Sequence, residues 1–128
     1  MQNYDSPLDL IRTAPPMRPV MAFRPARLAA AGRWFADNFP GDTLYAVKAN
    51  PAPHILDGLW AAGIRCFDVA SEEEAEFVHK RFPEARLAFM HPVKNRQAIA
   101  RAYHFFGCRT FVLDTADELQ KILDETLF

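Results

Sequence analysis

With 128 residues the chain is long enough for one ordinary domain. Half of its residues are hydrophobic and the formal net charge is −1, a globular composition that gives no electrostatic case for nucleic acid or an anionic membrane. No apolar run approaches membrane-spanning length, and Asp5 and Asp9 lie where a secretory leader would need an apolar core, so a soluble cytoplasmic protein is expected.

Residues 1–19 read as an irregular arm, because Pro7, Pro15, Pro16 and Pro19 oppose a regular element, although Leu8–Ile11 could form a helical turn. Val20–Phe23 suits a short strand. Pro25 then opens a helix, since its missing N–H costs nothing at the first helical position. Leu28, Ala31, Phe35 and Phe39 recur at helical spacing and predict one buried face, and Pro40-Gly41-Asp42 stops the helix. From there the pattern repeats. Strands are predicted over Leu44–Lys48, Arg65–Val69, Arg86–Met90 and Thr110–Leu113, each followed by a helix. Gly63 and Gly107 end the helices that start near His54 and before Ile99. Ser71-Glu72-Glu73-Glu74 and Thr115-Ala116-Asp117-Glu118 have the form of capping boxes, with hydroxyl and carboxylate each taking a free N–H. Ala75, Val78 and Phe82, then Ile99, Ala102, Tyr103 and Phe106, then Leu119, Ile122 and Leu123, mark the apolar faces of three helices.

Regular β–α alternation implies parallel strands with right-handed crossovers, and short apolar strands fit a sheet covered on both faces. Neither a G-x-G-x-x-G run nor a phosphate loop follows any strand, which favours a β/α barrel over a doubly wound sheet. A closed barrel needs eight units and roughly 250 residues, and about four are present. The fold class expected is therefore α/β, the N-terminal half of a (β/α)8 barrel of the TIM type, with residues 1–19 as arm and 20–128 as partial barrel. The chain reads as a fragment or a deletion, expected alone to be inactive and marginally folded, with its bare sheet edges and face prone to association.

Several features carry no chemistry. Cys66 and Cys108 stand apart, outside any C-x-x-C pair, and read as small buried hydrophobes in a reducing compartment. His54, His79 and His104 lack metal-ligand spacing, and no metal site is expected. Trp34 and Trp60 read as packing residues. The locally basic stretches Phe23–Arg27 and Lys94–Arg101 read as solvated helix ends.

In parallel β/α folds the working groups sit at the C-terminal ends of strands. Here those ends carry Lys48 and Asn50, then Asp68 and Ser71, then His91 and Lys94, then Asp114. Leu44, Ala46 and Lys48 alternate onto one strand face, so a barrel-facing Leu44 and Ala46 bring Lys48 inside. A partly desolvated amine there can condense with an aldehyde. The stretch Tyr45-Ala46-Val47-Lys48-Ala49-Asn50-Pro51 resembles the cofactor-lysine motif of the group-IV decarboxylases, the ornithine and diaminopimelate decarboxylase family, whose barrel is of the alanine-racemase type. Phe67-Asp68-Val69-Ala70-Ser71, Leu87–Asn95 and Phe111–Thr115 resemble the family's next three strand motifs, in order and at matching intervals, so that the likeness covers essentially Val20 to Leu123.

The resemblance implies a pyridoxal 5'-phosphate enzyme. Lys48 would hold the cofactor as a Schiff base, and the ring would act as electron sink in decarboxylation. Asp68 matches the acidic residue near the cofactor lysine. Glu74 matches a second carboxylate that meets the released lysine amine, in addition to its capping role. His91 departs from the pattern, where Asn or Gly is frequent. The resemblance also implies a homodimer, with phosphate and substrate groups contributed from beyond Phe128. The run after Lys48 lacks the Tyr-Gly-His-Gly type continuation of racemases, and Ala70-Ser71 follows the ornithine-type branch. The expected substrate is thus a basic amino acid, ornithine first and lysine second, giving a diamine for polyamine synthesis. Diaminopimelate decarboxylation is the alternative, and a non-catalytic regulatory relative is a further one, opposed by the joint presence of Lys48, Asp68 and Glu74.

Overall fold

The structure is a computed structural model that describes residues 2–127; Met1 and Phe128, the outer ends of the expected arm and partial barrel, lie outside them. Helices α1 (Pro7–Thr13) and α2 (Pro25–Asn38) precede four β–α units: β1 (Leu44–Ala46), α3 (Pro53–Ala61), β2 (Cys66–Val69), α4 (Glu72–Arg81), β3 (Arg86–Phe89), α5 (Arg96–His104), β4 (Thr110–Phe111) and α6 (Ala116–Thr126). The four strands form one parallel sheet in the order β1-β2-β3-β4, as the alternation predicted. Consecutive parallel neighbours joined by helices are the start of a β/α barrel rather than of a doubly wound sheet, whose order reverses at a switch point.

Alternation along each strand separates two faces. Tyr45, Phe67 and Leu87 form one paired row and Val69, Phe89 and Phe111 another, and both rows pack into the main core with Val78 and Ala102 of the helices. Phe67, Phe89, Leu56, Ile99 and Val78 are fully buried, and each such side chain contributes about 1.5–3 kcal/mol by leaving water. Trp60, Phe67 and Phe82 stack nearly parallel, with ring centroids 4.6–6.4 Å apart. The opposite face carries the rows Leu44-Cys66-Arg86 and Ala46-Asp68-Ala88-Thr110, and among the described residues no core cluster packs a helix over it.

Several elements differ from expectation. Val20–Phe23 forms no strand; no strand lies beside it to accept its hydrogen bonds, and Val20 and Met21 are exposed. The predicted face of α2 is not buried. Phe35 and Phe39 are about half exposed, as is Trp34, and α2 instead approaches α3 through glycine: a Cβ on Gly32 would stand 2.8 Å from the Ala62 Cβ, and one on Gly58 2.6 Å from Leu28 Cδ2. Two backbones meet there where a side chain would hold them apart. On α6 the buried stripe is Glu118, Ile122 and Thr126, while Leu119 and Leu123 face out. The strand β4 covers only Thr110–Phe111: Val112 N still donates to the Phe89 carbonyl at 3.1 Å, but the Val112 carbonyl accepts from the Lys94 ammonium at 2.7 Å. Gly63 and Gly107 take positive φ, +102° and +69°, just past their helices, as helix-ending glycines do.

Arginines stitch neighbouring helices along the outer layer. Arg81 of α4 pairs with Asp57 of α3. Arg101 of α5 meets Glu72 of α4 at 2.7 Å, and Arg96 of α5 meets Asp124 and Glu125 of α6 at 3.1 and 2.9 Å. The basic stretch Lys94–Arg101 is therefore tied to acidic partners rather than simply solvated. Cys66 and Cys108 are both buried and free; burial pushes the Cys108 thiol up.

Candidate active site

Lys48, Asp68, His91 and Lys94 lie at or just past the C-terminal ends of the strands. The strand β1 ends at Ala46, sooner than expected, and Lys48 sits at the centre of a single 3-10 turn, Val47–Ala49, rather than on the strand. Val47 is fully buried and roots the turn in the core, which leaves Lys48 exposed on the far side. The Tyr45 hydroxyl donates to the Asn50 carbonyl at 3.2 Å, spanning the turn, and the Asn50 side-chain oxygen accepts from Ala52 N at 3.1 Å.

Asp68 pairs in register with Ala46, on the face away from the core helices. It is half-buried and makes no hydrogen bond or ion pair among the described residues. Its row is completed by Ala46, Ala88 and Thr110, all small, so the sheet surface around the carboxylate is low. Glu74 opens α4 in the predicted capping box, with Glu74 N donating to Ser71 Oγ at 3.2 Å. Its carboxylate reaches one residue further back than expected, where Oε2 accepts from Ala70 N at 2.8 Å, and Oε1 keeps no partner among the described residues.

The second capping box is only half made. Thr115 Oγ1 accepts from Glu118 N at 3.1 Å, but the Glu118 carboxylate turns inward. It accepts from Lys94 N at 3.1 Å, from Lys94 Nζ at 2.8 Å and from Lys121 Nζ at 2.6 Å. Burial works to raise the Glu118 carboxyl, but the hydrogen bonds from Lys121 and Lys94 prevail and hold it below the ordinary glutamate value. Lys94 Nζ also donates to the carbonyls of His91 at 3.0 Å, Pro92 at 3.3 Å and Val112 at 2.7 Å. Its side chain is wholly buried. Sequence patterning missed this pair, because a strand-end lysine and a helix-start glutamate each look like solvated residues.

The chain's four lysines are thereby sorted. Lys94 is saturated, Lys121 is bound to Glu118, and Lys80 is paired with Glu76 at 2.8 Å. Lys48 has no partner among the described residues. His91 is exposed on the rim; with Ser71, Lys94 and Asn95 it lines a hollow of about 140 Å³. A larger cleft of about 480 Å³ lies between Tyr4–Leu10 and Ala22–Arg27, and none of Lys48, Asp68 and Glu74 lines it. No group of His, Cys, Asp and Glu among the described residues could hold a metal ion, and no helix there is long and apolar enough to cross a membrane.

Lys48 and Asp68, neither with a partner among the described residues, stand just past β1 and on β2, and sequence comparison gives the class of domain that carries them. The pyridoxal-binding domain of the pyridoxal-dependent decarboxylases matches residues 26–126, and the chain belongs to that family. Among characterised relatives, the lysine/ornithine decarboxylase of Selenomonas ruminantium is 35% identical over 79 residues, 61% of this chain and 20% of that protein. The solved lysine/ornithine decarboxylase of Vibrio vulnificus, complexed with putrescine, superposes with a TM-score of 0.73 at 26% identity over 93% of this chain and 34% of its own. The lysine decarboxylase of Selenomonas ruminantium gives 0.74 at 26% identity, over 98% and 34%. The chain thus spans about a third of the length of these solved relatives and a fifth of the characterised one. The α/β parallel architecture is that of the N-terminal part of their barrel.

Proposed function

We propose that this chain supplies the lysine-bearing part of a pyridoxal-phosphate-dependent decarboxylase acting on a basic amino acid, ornithine or lysine, to give a diamine. The observation that carries the reading is the isolation of Lys48. It alone of the four lysines offers an unpaired amine, and it does so within the pyridoxal-binding domain. Substrate class draws support from the relatives, solved with putrescine and with cadaverine.

The donor set fits the cofactor. Lys48 provides the amine that binds an aldehyde carbon. Asp68, unpartnered beside the small Ala46 and Ala88, provides a carboxylate where a flat ring could lie over the sheet. Pyridoxal phosphate, when bound, supplies the electron sink that decarboxylation needs. The free Oε1 of Glu74, held in place by the bond from Ala70 N, would accept a proton-bearing amine once Lys48 lets go of its aldehyde. Diamine formation would put the whole protein in polyamine synthesis. A homodimer in the cytoplasm is the assembly proposed for it.

Borohydride reduction of the loaded protein followed by peptide mapping should place the pyridoxyl group on Lys48. Carbon dioxide release should be faster from ornithine and lysine than from diaminopimelate and arginine. A preference for diaminopimelate would overturn the substrate class, and racemisation of alanine without release of carbon dioxide would overturn the reaction.

A further inference from the structure

The cofactor-lysine turn is very short. Three residues in a 3-10 turn carry one i→i+3 geometry, which is weak alone. The backbone enters it from Ala46 (φ −74°, ψ 104°) and leaves in the extended conformation of Asn50 (φ −161°, ψ 99°), so nothing in the local chain continues the turn on either side. Two contacts hold it from outside. Val47 is fully buried beneath. Above, the Tyr45 hydroxyl bonds the Asn50 carbonyl at 3.2 Å, closing a bracket from the last strand residues to the first residue past the turn.

We propose that Tyr45 is a positioning residue for Lys48, its hydroxyl acting as a clasp across the lysine turn that keeps the amine aimed at the cofactor aldehyde; this rests on the reading of Lys48 given above. The phenol is well placed for the task. Its ring packs against both apolar clusters, so the hydroxyl is carried by a fixed body. Burial pushes the phenol above its ordinary value, so it remains a donor throughout the neutral and mildly alkaline range. The receiving residue is fixed in turn, because Asn50 Oδ1 accepts from Ala52 N and a proline stands on either side of Ala52. Tyr45 touches no reacting atom. Its effect passes through the position of the Lys48 backbone, and small misplacements of a reacting group are costly in rate.

The test is the rate at which the apo form of the whole protein captures pyridoxal phosphate, followed by absorbance in rapid mixing. Tyr45→Phe keeps the ring and removes only the clasp. Capture should slow about fivefold, the usual worth of one partly buried hydrogen bond, while Tyr103→Phe, whose hydroxyl makes no bond among the described residues, should capture at the wild-type rate. Should Tyr45→Phe fail to fold, Asn50→Ala loosens the receiving end and should slow capture about twofold. Borohydride mapping accompanies both. Capture at the wild-type rate with the label on Lys48 overturns the clasp alone; a label on Lys80, Lys94 or Lys121 overturns the reading of Lys48 and the clasp with it.

Discussion

Two lysines leave the same sheet at the same rim. Lys48 follows β1 and Lys94 follows β3. The turn after β1 buries its valine and presents its lysine, so the amine is left without a partner. The loop after β3 does the reverse: Val93 is exposed and Lys94 is drawn beneath it onto Glu118 and three carbonyls. The difference lies in what each neighbourhood offers. Beside Lys94 the carbonyls of His91, Pro92 and Val112 lack strand partners, and an ammonium with three donors satisfies them together. Beside Lys48 the Asn50 carbonyl is taken by Tyr45. The same side chain is thus left open in one place and saturated in the other, according to the acceptors within reach.

Substitution and acid titration would break or sharpen this contrast. Replacing Lys48 by alanine should cut turnover of the whole protein about a thousandfold or more, on the scale of catalytic groups, and leave the unfolding midpoint unmoved; an active K48A protein would end the contrast at once. Replacing Lys94 by methionine should do the opposite, costing about 3 kcal/mol in denaturant unfolding, at the lower end for a broken buried pair because Lys121 still reaches Glu118. Adding Glu118→Met should recover much of that loss. If the double variant is no better than K94M, the pair is not the cause.

Acid titration separates the two further. Glu118 is held below the ordinary glutamate value of 4.5. A carboxyl lowered on folding adds stability that is fully present above its unfolded value and is lost as pH falls through the folded one. Unfolding measured from pH 6 downward should therefore show a loss below about pH 4.5 that is smaller in the K94M/E118M protein. A smaller effect again attends the caps. Ser71→Ala should cost about 1 kcal/mol by freeing Glu74 N, with no change in the site of pyridoxyl labelling. Lys80→Ala, which removes an exposed i,i+4 pair, should leave the unfolding curve where it was.

The legible parts of the fold were those written as periodic patterns. Ala75, Val78 and Phe82 are buried as their spacing predicted, and Ser71 and Thr115 cap their helices. Spacing failed where burial depends on a distant partner. Phe35 and Phe39 have helical periodicity but stay exposed, and Leu119 and Leu123 fare likewise on α6. Lys48 was singled out by its motif as a strand-end residue, and the structure places it in a 3-10 turn instead. A single 3-10 turn leaves no periodic trace, and the Tyr45–Asn50 bond that spans it connects residues that look unrelated in sequence. The inward turn of Glu118 was illegible for the same reason, since the capping rule sees only residues three apart.

The arginine stitching of the outer helices has a consequence for assembly order. Each bridge joins one helix to the next in sequence: Arg81 to Asp57, Arg101 to Glu72, Arg96 to Asp124 and Glu125. Exposed pairs of this kind add little strength, but they distinguish a helix's proper slot from any other. An α4 laid where α5 belongs would offer Glu72 and Glu73 to the acids of α6 and find repulsion instead of Arg96. The belt is in effect an address label on each helix, read by its neighbour. At 1 M salt, where charges reach only about 3 Å, the label fades while the apolar core keeps its hold, so refolding would lose fidelity before it lost driving force.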